Sequence, residues 1–169
     1  MVGTAYLVHL IQRRSRRRRL ARRAAGSGRN QLVWSNDFTN AAWTKNGTGT
    51  LEAGPFAGKS TPPTGENSTR LEGLGLKQAV AGNPDASVSL YARSLTGADA
   101  TWAFWNGQFD DVKTIPITWV RLESTSNEHS GEFDFYPWGT GGAIEVASAQ
   151  ANPGASPETY TPTAGLPQL

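Results

Sequence analysis

Aromatic, amide and carboxylate side chains follow one another in the stretch WAFWNGQFDD at residues 102–111. In an extended strand, Trp102 and Phe104 lie on one face and Trp105 on the other, so one large ring is expected outside the core. An exposed ring offers an apolar surface to a sugar, and amides and carboxylates bind its hydroxyl groups. The pattern predicts a sugar-binding site, unless a neighbouring subunit covers that face. Its predicted members are Trp105, Asn106, Gln108, Asp110 and Trp138.

Four carboxylates on or near predicted strands are candidates for catalysis: Asp110, Asp111, Asp134 and Glu145. A glycosidase needs two carboxyl groups that face each other at a defined separation. Adjacent Asp110 and Asp111 point to opposite sides of an extended strand, and neither histidine is placed to activate a serine. We interpret these carboxylates as solvated surface charges and expect no enzymatic activity.

Residue counts exclude several classes of metal site. The chain has no cysteine and only two histidines, so thiolate and histidine-cluster sites cannot form. The acidic residues do not have the spacing of an EF-hand loop. We therefore expect neither a metal ion nor any other cofactor.

Positive charge is concentrated in an arm at residues 1–29, which holds nine of the 16 basic residues and none of the 14 acidic ones. The remainder has seven basic residues and a net charge of −7. A block of like charges is typical of an interaction tail. Residues 4–25 have the pattern of a helix with arginines on every side. These arginines would repel one another and destabilise the helix unless a partner neutralised their charge. The sequence therefore predicts an anchor helix.

The predicted anchor begins with an apolar stretch at residues 2–11, and an arginine-rich segment at 13–23 follows it. Acidic protein surfaces are the favoured partner, because arginine forms bidentate pairs with carboxylates. Nucleic acid is less favoured, since the arm lacks interleaved aromatic residues, and the apolar stretch 2–11 is too short to cross a membrane. A transit peptide is the remaining alternative. The anchor residues are Leu7, Leu10, Ile11, Arg13, Arg14, Arg16, Arg17, Arg18, Arg19, Arg22 and Arg23.

Beyond residue 29 the chain consists of short alternating segments separated by Gly, Pro, Asn or Asp. No helical pattern occurs there, and this arrangement predicts an all-β sandwich. Residues 30–43 alternate and then turn, and the further predicted strands are 47–53, 68–74, 76–82, 86–95, 100–107, 114–125, 131–139 and 142–150.

Four motifs, NQLVWSNDFTNAAW, LKQAV with SVSLYARS, ITWVRL, and IEVASAQANPGASPETYTPT, occur in the order typical of one family. Together they resemble β-sandwich domains common in bacteriophage virion proteins. Ser148 stands where the family has glycine, and Asn152 where it has an acid. The matching residues are Asn30, Leu32, Ser35, Phe38, Trp43, Gln78, Ser89, Tyr91, Arg93, Thr118, Trp119, Arg121, Ala149, Gln150, Gly154, Tyr160, Pro162 and Thr163.

The resemblance implies a single jelly roll at residues 30–165, similar to carbohydrate-binding modules, followed by a tail at 166–169. It also implies a structural protein of the virion: a capsid decoration, head-fibre or tail accessory subunit. The arm would then dock on capsid, portal or tail proteins, and the domain would form a homo-oligomer. The competing interpretation is a carbohydrate-binding module or adhesin that recognises a host polysaccharide.

Most of the matching residues have structural explanations. Phe38, Trp43 and Trp119 are expected in the core, because aromatic residues at strand spacing usually pack there. Gln150 and Tyr160 are expected to tie the last strand and the C-terminal segment to the sandwich by side-chain hydrogen bonds.

Overall fold

A computed structural model describes residues 30–53, 62–65, 67–80, 86–105, 107, 109–126, 131–154, 156, 158–160 and 162–163. The predicted arm, with all its anchor residues, and the predicted tail lie outside this part of the chain. Eight strands and no helix occur within it. The strands are β1 Thr44–Ala53, β2 Thr69–Ala79, β3 Ala86–Ser94, β4 Ala100–Trp105, β5 Asp110–Ile115, β6 Val120–Ser126, β7 Glu132–Pro137 and β8 Ile144–Pro153.

Strand β2 belongs to both layers of the sandwich. Its first residues, Thr69 to Leu71, pair with β8, whereas Leu76 to Ala79 pair with β7. All strand pairs are antiparallel, and β1 runs along the other side of β2. The strands therefore form a front sheet, β5-β4-β7-β2, and a back sheet, β2-β8-β3-β6. This confirms the predicted all-β sandwich.

Glycines form the corner at which the β1–β2 pair turns from one layer to the other. The register shifts between Gly47 and Thr50, and Gly73 has a φ of 64°. A Cβ atom on Gly49 would lie 1.7 Å from the carbonyl oxygen of Glu72. No side chain fits between the two backbones, so glycine is required where they cross.

Aromatic rings from both halves of the chain fill the core. Phe104 packs against Phe133 and Phe135 with ring centroids 5.8 and 4.7 Å apart, and Trp43 meets Phe133 edge-on at 5.5 Å. Phe38 and Trp43 are buried, as the sequence predicts. The largest fully buried side chains are Trp43, Trp102, Phe38, Phe104, Phe133, Phe135, Leu32, Leu71, Leu76, Leu90, Ile115 and Ile144.

The strand predicted for the first part of 30–43 is wrong, because the segment contains no strand and forms turns earlier than the sequence predicts. The Asp37 carboxylate accepts hydrogen bonds from the backbone and the hydroxyl group of Thr39, and such local bonds compete with a strand. Asn30 fixes the segment against β8 by donating to the carbonyl oxygen of Ala149 and accepting from the backbone of Ala151.

Two further strand boundaries differ from the sequence prediction. Strand β2, Thr69–Ala79, continues through the glycine corner and joins the predicted strands 68–74 and 76–82, of which residues 81 and 82 lie outside the described residues. The predicted strand 114–125 is the end of β5, a turn at 116–119 and the start of β6. The predicted strands do not include residues 110–113, which form the first part of β5.

The predicted burial of Trp119 in the core is wrong. This ring is only partly buried, and the guanidinium carbon of Arg93 lies 5.2 Å from its centroid. Trp119 precedes β6 instead of lying within it, so the alternation of a strand does not apply. The contact is a cation–π interaction at the margin of the fold.

The C-terminal segment is held as predicted. The side-chain amide of Gln150 donates to the carbonyl oxygens of Glu158 and Thr159, both at 3.2 Å. The hydroxyl groups of Tyr160 and Ser35 share a hydrogen bond of 3.1 Å. These bonds attach the segment to β8 and to the first turns of the domain.

The interpretation of Glu145 as a solvated surface charge is wrong. Its side chain is buried between β3 and β2, and it accepts hydrogen bonds from Nε and a terminal nitrogen of Arg93 at 2.7 and 2.5 Å. The hydroxyl group of Ser68 donates to its other oxygen. Arg93 lies opposite Glu145 in the strand pair, so the register brings the two charges together.

Candidate functional site

One face of the front sheet points away from the core and carries large polar and aromatic side chains. Trp105 lies opposite Asp110 on β5, and Ala103 lies opposite Tyr136 on β7. Directly opposed residues of antiparallel strands share a face. Because Phe104 on the same strand is buried in the core, Trp105, Asp110 and Tyr136 lie on the outer face.

Strands β2 and β1 continue this outer face. Lys77 lies opposite both Asp134 on β7 and Thr44 on β1. A Cβ atom on Gly75 would come within 2.8 Å of the Cβ atom of Tyr136, so glycine at this position lets the tyrosine approach β2 closely.

These strands enclose an open cleft of about 290 Å³ on the outer face. One wall carries the ring of Trp105, and the other side chains are polar or charged. The lining residues are Asn46, Lys77, Trp105, Glu132, Asp134 and Tyr136.

An ammonium group lies between two carboxylates in the cleft. Nζ of Lys77 is 2.6 Å from Oε2 of Glu132 and 4.0 Å from Oδ2 of Asp134. The hydrogen bond to Glu132 raises the pKa of Lys77. Lys77 therefore stays charged, and its ammonium group contacts Glu132 more closely than Asp134.

Asp134 has hydrogen-bonding capacity that the described residues do not use. Its side chain is 13 % exposed, and Oδ1 is buried without a hydrogen-bond partner among them. Burial raises the pKa of Asp134, and the charge of Lys77 opposes this only in part. A hydrogen-bond donor in the cleft would satisfy this carboxylate, because its terminal torsion rotates readily.

Tyr136 is held in place by Asp110. The tyrosine hydroxyl donates to Oδ1 of Asp110, and burial, followed by this hydrogen bond, raises the pKa of Tyr136. This hydrogen bond links β7 to β5 across β4. The cleft combines two aromatic rings with carboxylate, ammonium and amide groups, which suits a ligand that has both apolar faces and hydroxyl groups.

The residues of the predicted sugar site are only partly brought together. Trp105 lines the cleft, and Asp110 borders it through Tyr136. Trp138 is 40 % exposed and directly follows the end of β7, where its backbone N–H donates to the carbonyl oxygen of Thr101, but it does not line the cleft. Asn106 and Gln108 lie outside the described residues.

Five lining residues were not in the predicted site. The alternation of EFDFYP shows that Glu132, Asp134 and Tyr136 face away from buried Phe133 and Phe135, so these three could have been included. Asn46 and Lys77 join them only through strand pairing. No local sequence signal reveals that pairing.

Asp134 should reduce the stability of the domain at neutral pH. Because its folded-state pKa is raised, stability is highest below the unfolded pKa and falls as pH rises through the folded one. We expect Asp134→Asn to be at least as stable as the wild type at neutral pH and to lose that advantage in acid. Thermal melts across a pH series test this, and a variant that is less stable at neutral pH would contradict it.

The described residues were also compared with the requirements of a metal site and of a membrane-spanning helix. They contain no group of three or more side chains suited to hold a metal ion. Across the same part of the chain, no helix has the length and apolar character needed to span a membrane.

Comparison with known proteins gives matches at the level of structure. No protein-family model matches the chain, and no curated protein matches it. The xylan-binding CBM22-1 domain of Paenibacillus barcinonensis Xyn10C superposes with a TM-score of 0.54 at 19% identity, over 78% of this chain and 98% of that one. TmCBM61, solved with β-1,4-galactotriose, gives 0.53 at 12% identity, over 73% and 98%.

A third solved structure has the same architecture. The C-terminal family 22 carbohydrate-binding module of Clostridium thermocellum Xyn10B gives a TM-score of 0.51 at 15% identity, over 79% of this chain and 98% of that one. At these identities the likeness concerns the fold alone. The chain has the jelly-roll fold of carbohydrate-binding modules.

Proposed function

We propose that this protein binds carbohydrate in the cleft on the outer face of the front sheet. One observation carries the proposal: Trp105 and Asp134 line the same open cleft, and Asp134 has a carboxylate oxygen without a hydrogen-bond partner among the described residues. A sugar ring has an apolar face that covers an indole and hydroxyl groups that donate to a carboxylate. The cleft offers side chains for both kinds of contact.

The fold supports this proposal without identifying the sugar. Among the solved structures with this architecture, one is named for xylan binding and another contains β-1,4-galactotriose. Those ligands belong to those proteins, and fold likeness alone does not establish function. The side chains of the cleft favour a glycan as the class of ligand.

Replacing Trp105 by alanine should weaken glycan binding by at least about tenfold, because it removes the ring from the wall of the cleft. The full-length protein is tested on an array of plant and bacterial polysaccharides. Trp119→Ala is the matched control, since it removes a tryptophan that lies against Arg93 and not in the cleft.

Thermal melts of both variants distinguish lost binding from lost folding. Binding that survives Trp105→Ala at full strength would place the sugar elsewhere. The absence of wild-type binding to any polysaccharide on the array would contradict the proposed function itself.

A role on a virus particle remains a prediction from the sequence. It depends on the arm, which is outside the described residues, as are the contacts with capsid, portal or tail proteins that the arm would make. Homo-oligomer formation and location in the virion are proposals of the same kind. If they hold, the cleft would display glycan binding on the outside of the particle.

A further inference from the structure

Negative charge exceeds positive charge around the cleft. Asp110, Glu132 and Asp134 contribute three carboxylates, and among the described residues that line the cleft Lys77 is the single cation. Two of the carboxylates have strong partners, because Glu132 binds Lys77 at 2.6 Å and Asp110 accepts from the hydroxyl group of Tyr136. Asp134 is the carboxylate whose charge is least compensated.

Lys77 is poorly placed to attract an anionic ligand. Its ammonium group is bound by Glu132 and lies 4.0 Å from Asp134, so an incoming anion would have to displace one carboxylate and approach the other. Partial burial of Asp134 strengthens its interaction with any nearby charge, because the surroundings screen it less than bulk water does. A cationic group at the same place would instead gain a charge-assisted hydrogen bond.

We propose that the cleft selects glycans by charge: it accepts neutral glycans, binds those with free amino groups more tightly, and rejects those with carboxylate, sulfate or phosphate groups. This inference rests on the proposed function, since it concerns the same cleft. The selecting residue is Asp134, which would pair with the ammonium group of an amino sugar and repel an acidic substituent. Trp105 provides stacking that does not depend on charge.

The arm complicates a direct comparison of charged glycans. Its arginines would retain the full-length protein on any acidic polysaccharide, whatever the cleft does. Binding by the cleft is therefore defined as the part that Trp105→Ala removes. A matched charge control is Asp111→Asn, because Asp111 pairs with Lys113 and lies on the opposite face of β5 from Asp110.

The test is affinity electrophoresis of the full-length protein slightly below neutral pH, where amino sugars are charged. The gels contain xylan, β-1,4-galactan or mixed-linkage β-glucan as neutral polymers, chitosan as the cationic polymer, and polygalacturonate or alginate as acidic polymers. We expect Trp105-dependent retention on at least one neutral polymer and an affinity for chitosan that is about tenfold higher. We expect no Trp105-dependent retention on the acidic polymers. Asp134→Asn should remove the preference for chitosan, whereas Asp111→Asn should keep it.

The outcomes separate a failure of charge selection from a failure of glycan binding. Trp105-dependent retention on acidic polymers as strong as on chitosan would overturn charge selection and leave glycan binding intact. A chitosan preference that persists in Asp134→Asn would also overturn it. If no polymer shows Trp105-dependent retention, the proposed function fails and the selection fails with it.

Discussion

Replacing Glu145 by alanine is expected to lower the free energy of unfolding by about 3–5 kcal/mol. The change leaves the guanidinium group of Arg93 buried without the carboxylate that accepts two of its hydrogen bonds. It also removes the acceptor of the Ser68 hydroxyl group. The loss mainly reflects an uncompensated buried charge, and only in part the net contribution of the ion pair.

Urea unfolding followed by tryptophan fluorescence measures this effect. The informative control is the double variant Arg93→Met with Glu145→Leu, which removes both charges and should regain much of the lost stability. A single variant that loses less than about 1 kcal/mol would show that Arg93 finds another partner or reaches solvent.

The second large effect is expected at Trp102, where substitution by alanine should cost about 3–5 kcal/mol. This ring is fully buried and stacks on Phe135 with a centroid separation of 5.2 Å. Its indole nitrogen donates to the carbonyl oxygen of Gly142 at 3.1 Å. Alanine would leave a cavity between the sheets and an acceptor without its donor.

Trp119→Ala is the comparison for this prediction and should cost clearly less. Trp119 is partly exposed and contacts Arg93 instead of the core rings. Chemical denaturation of both variants gives the two values under identical conditions. Equal losses at the two positions would contradict the assignment of Trp102 to the core and Trp119 to its margin.

The alternation of residues along a single strand predicts which of its side chains share a face. It predicts that Val88, Leu90 and Ala92 share one face of β3, and all three belong to the hydrophobic core, although Ser87 and Ser89 on the other face are buried too. It fails for the first part of residues 30–43, which forms no strand, and the Asp37 and Asn40 side chains accept hydrogen bonds in the turns of this segment. It also misses β5, whose charged residues sit at the edge of the front sheet.

Pairing between strands explains most of what could not be predicted about the site. The orientation of Trp105 follows from its own strand, because Phe104 is buried beside it. The contact of Lys77 with Glu132 and Asp134 depends instead on the register of β2 with β7, which is remote in sequence. The same reason explains Glu145, whose surroundings become apparent only when β8 is aligned with β3.

The most direct test of the central claim is to follow the indole N–H signals of the six tryptophans by NMR during a titration. The ligand is an oligosaccharide of the neutral polysaccharide that the protein retains best, and tryptophan-to-phenylalanine variants assign the signals. If the cleft binds sugar, the Trp105 signal shifts and saturates with the binding curve, while the signals of buried Trp43 and Trp102 hardly move. A saturating titration in which the Trp105 signal stays fixed would contradict the claim.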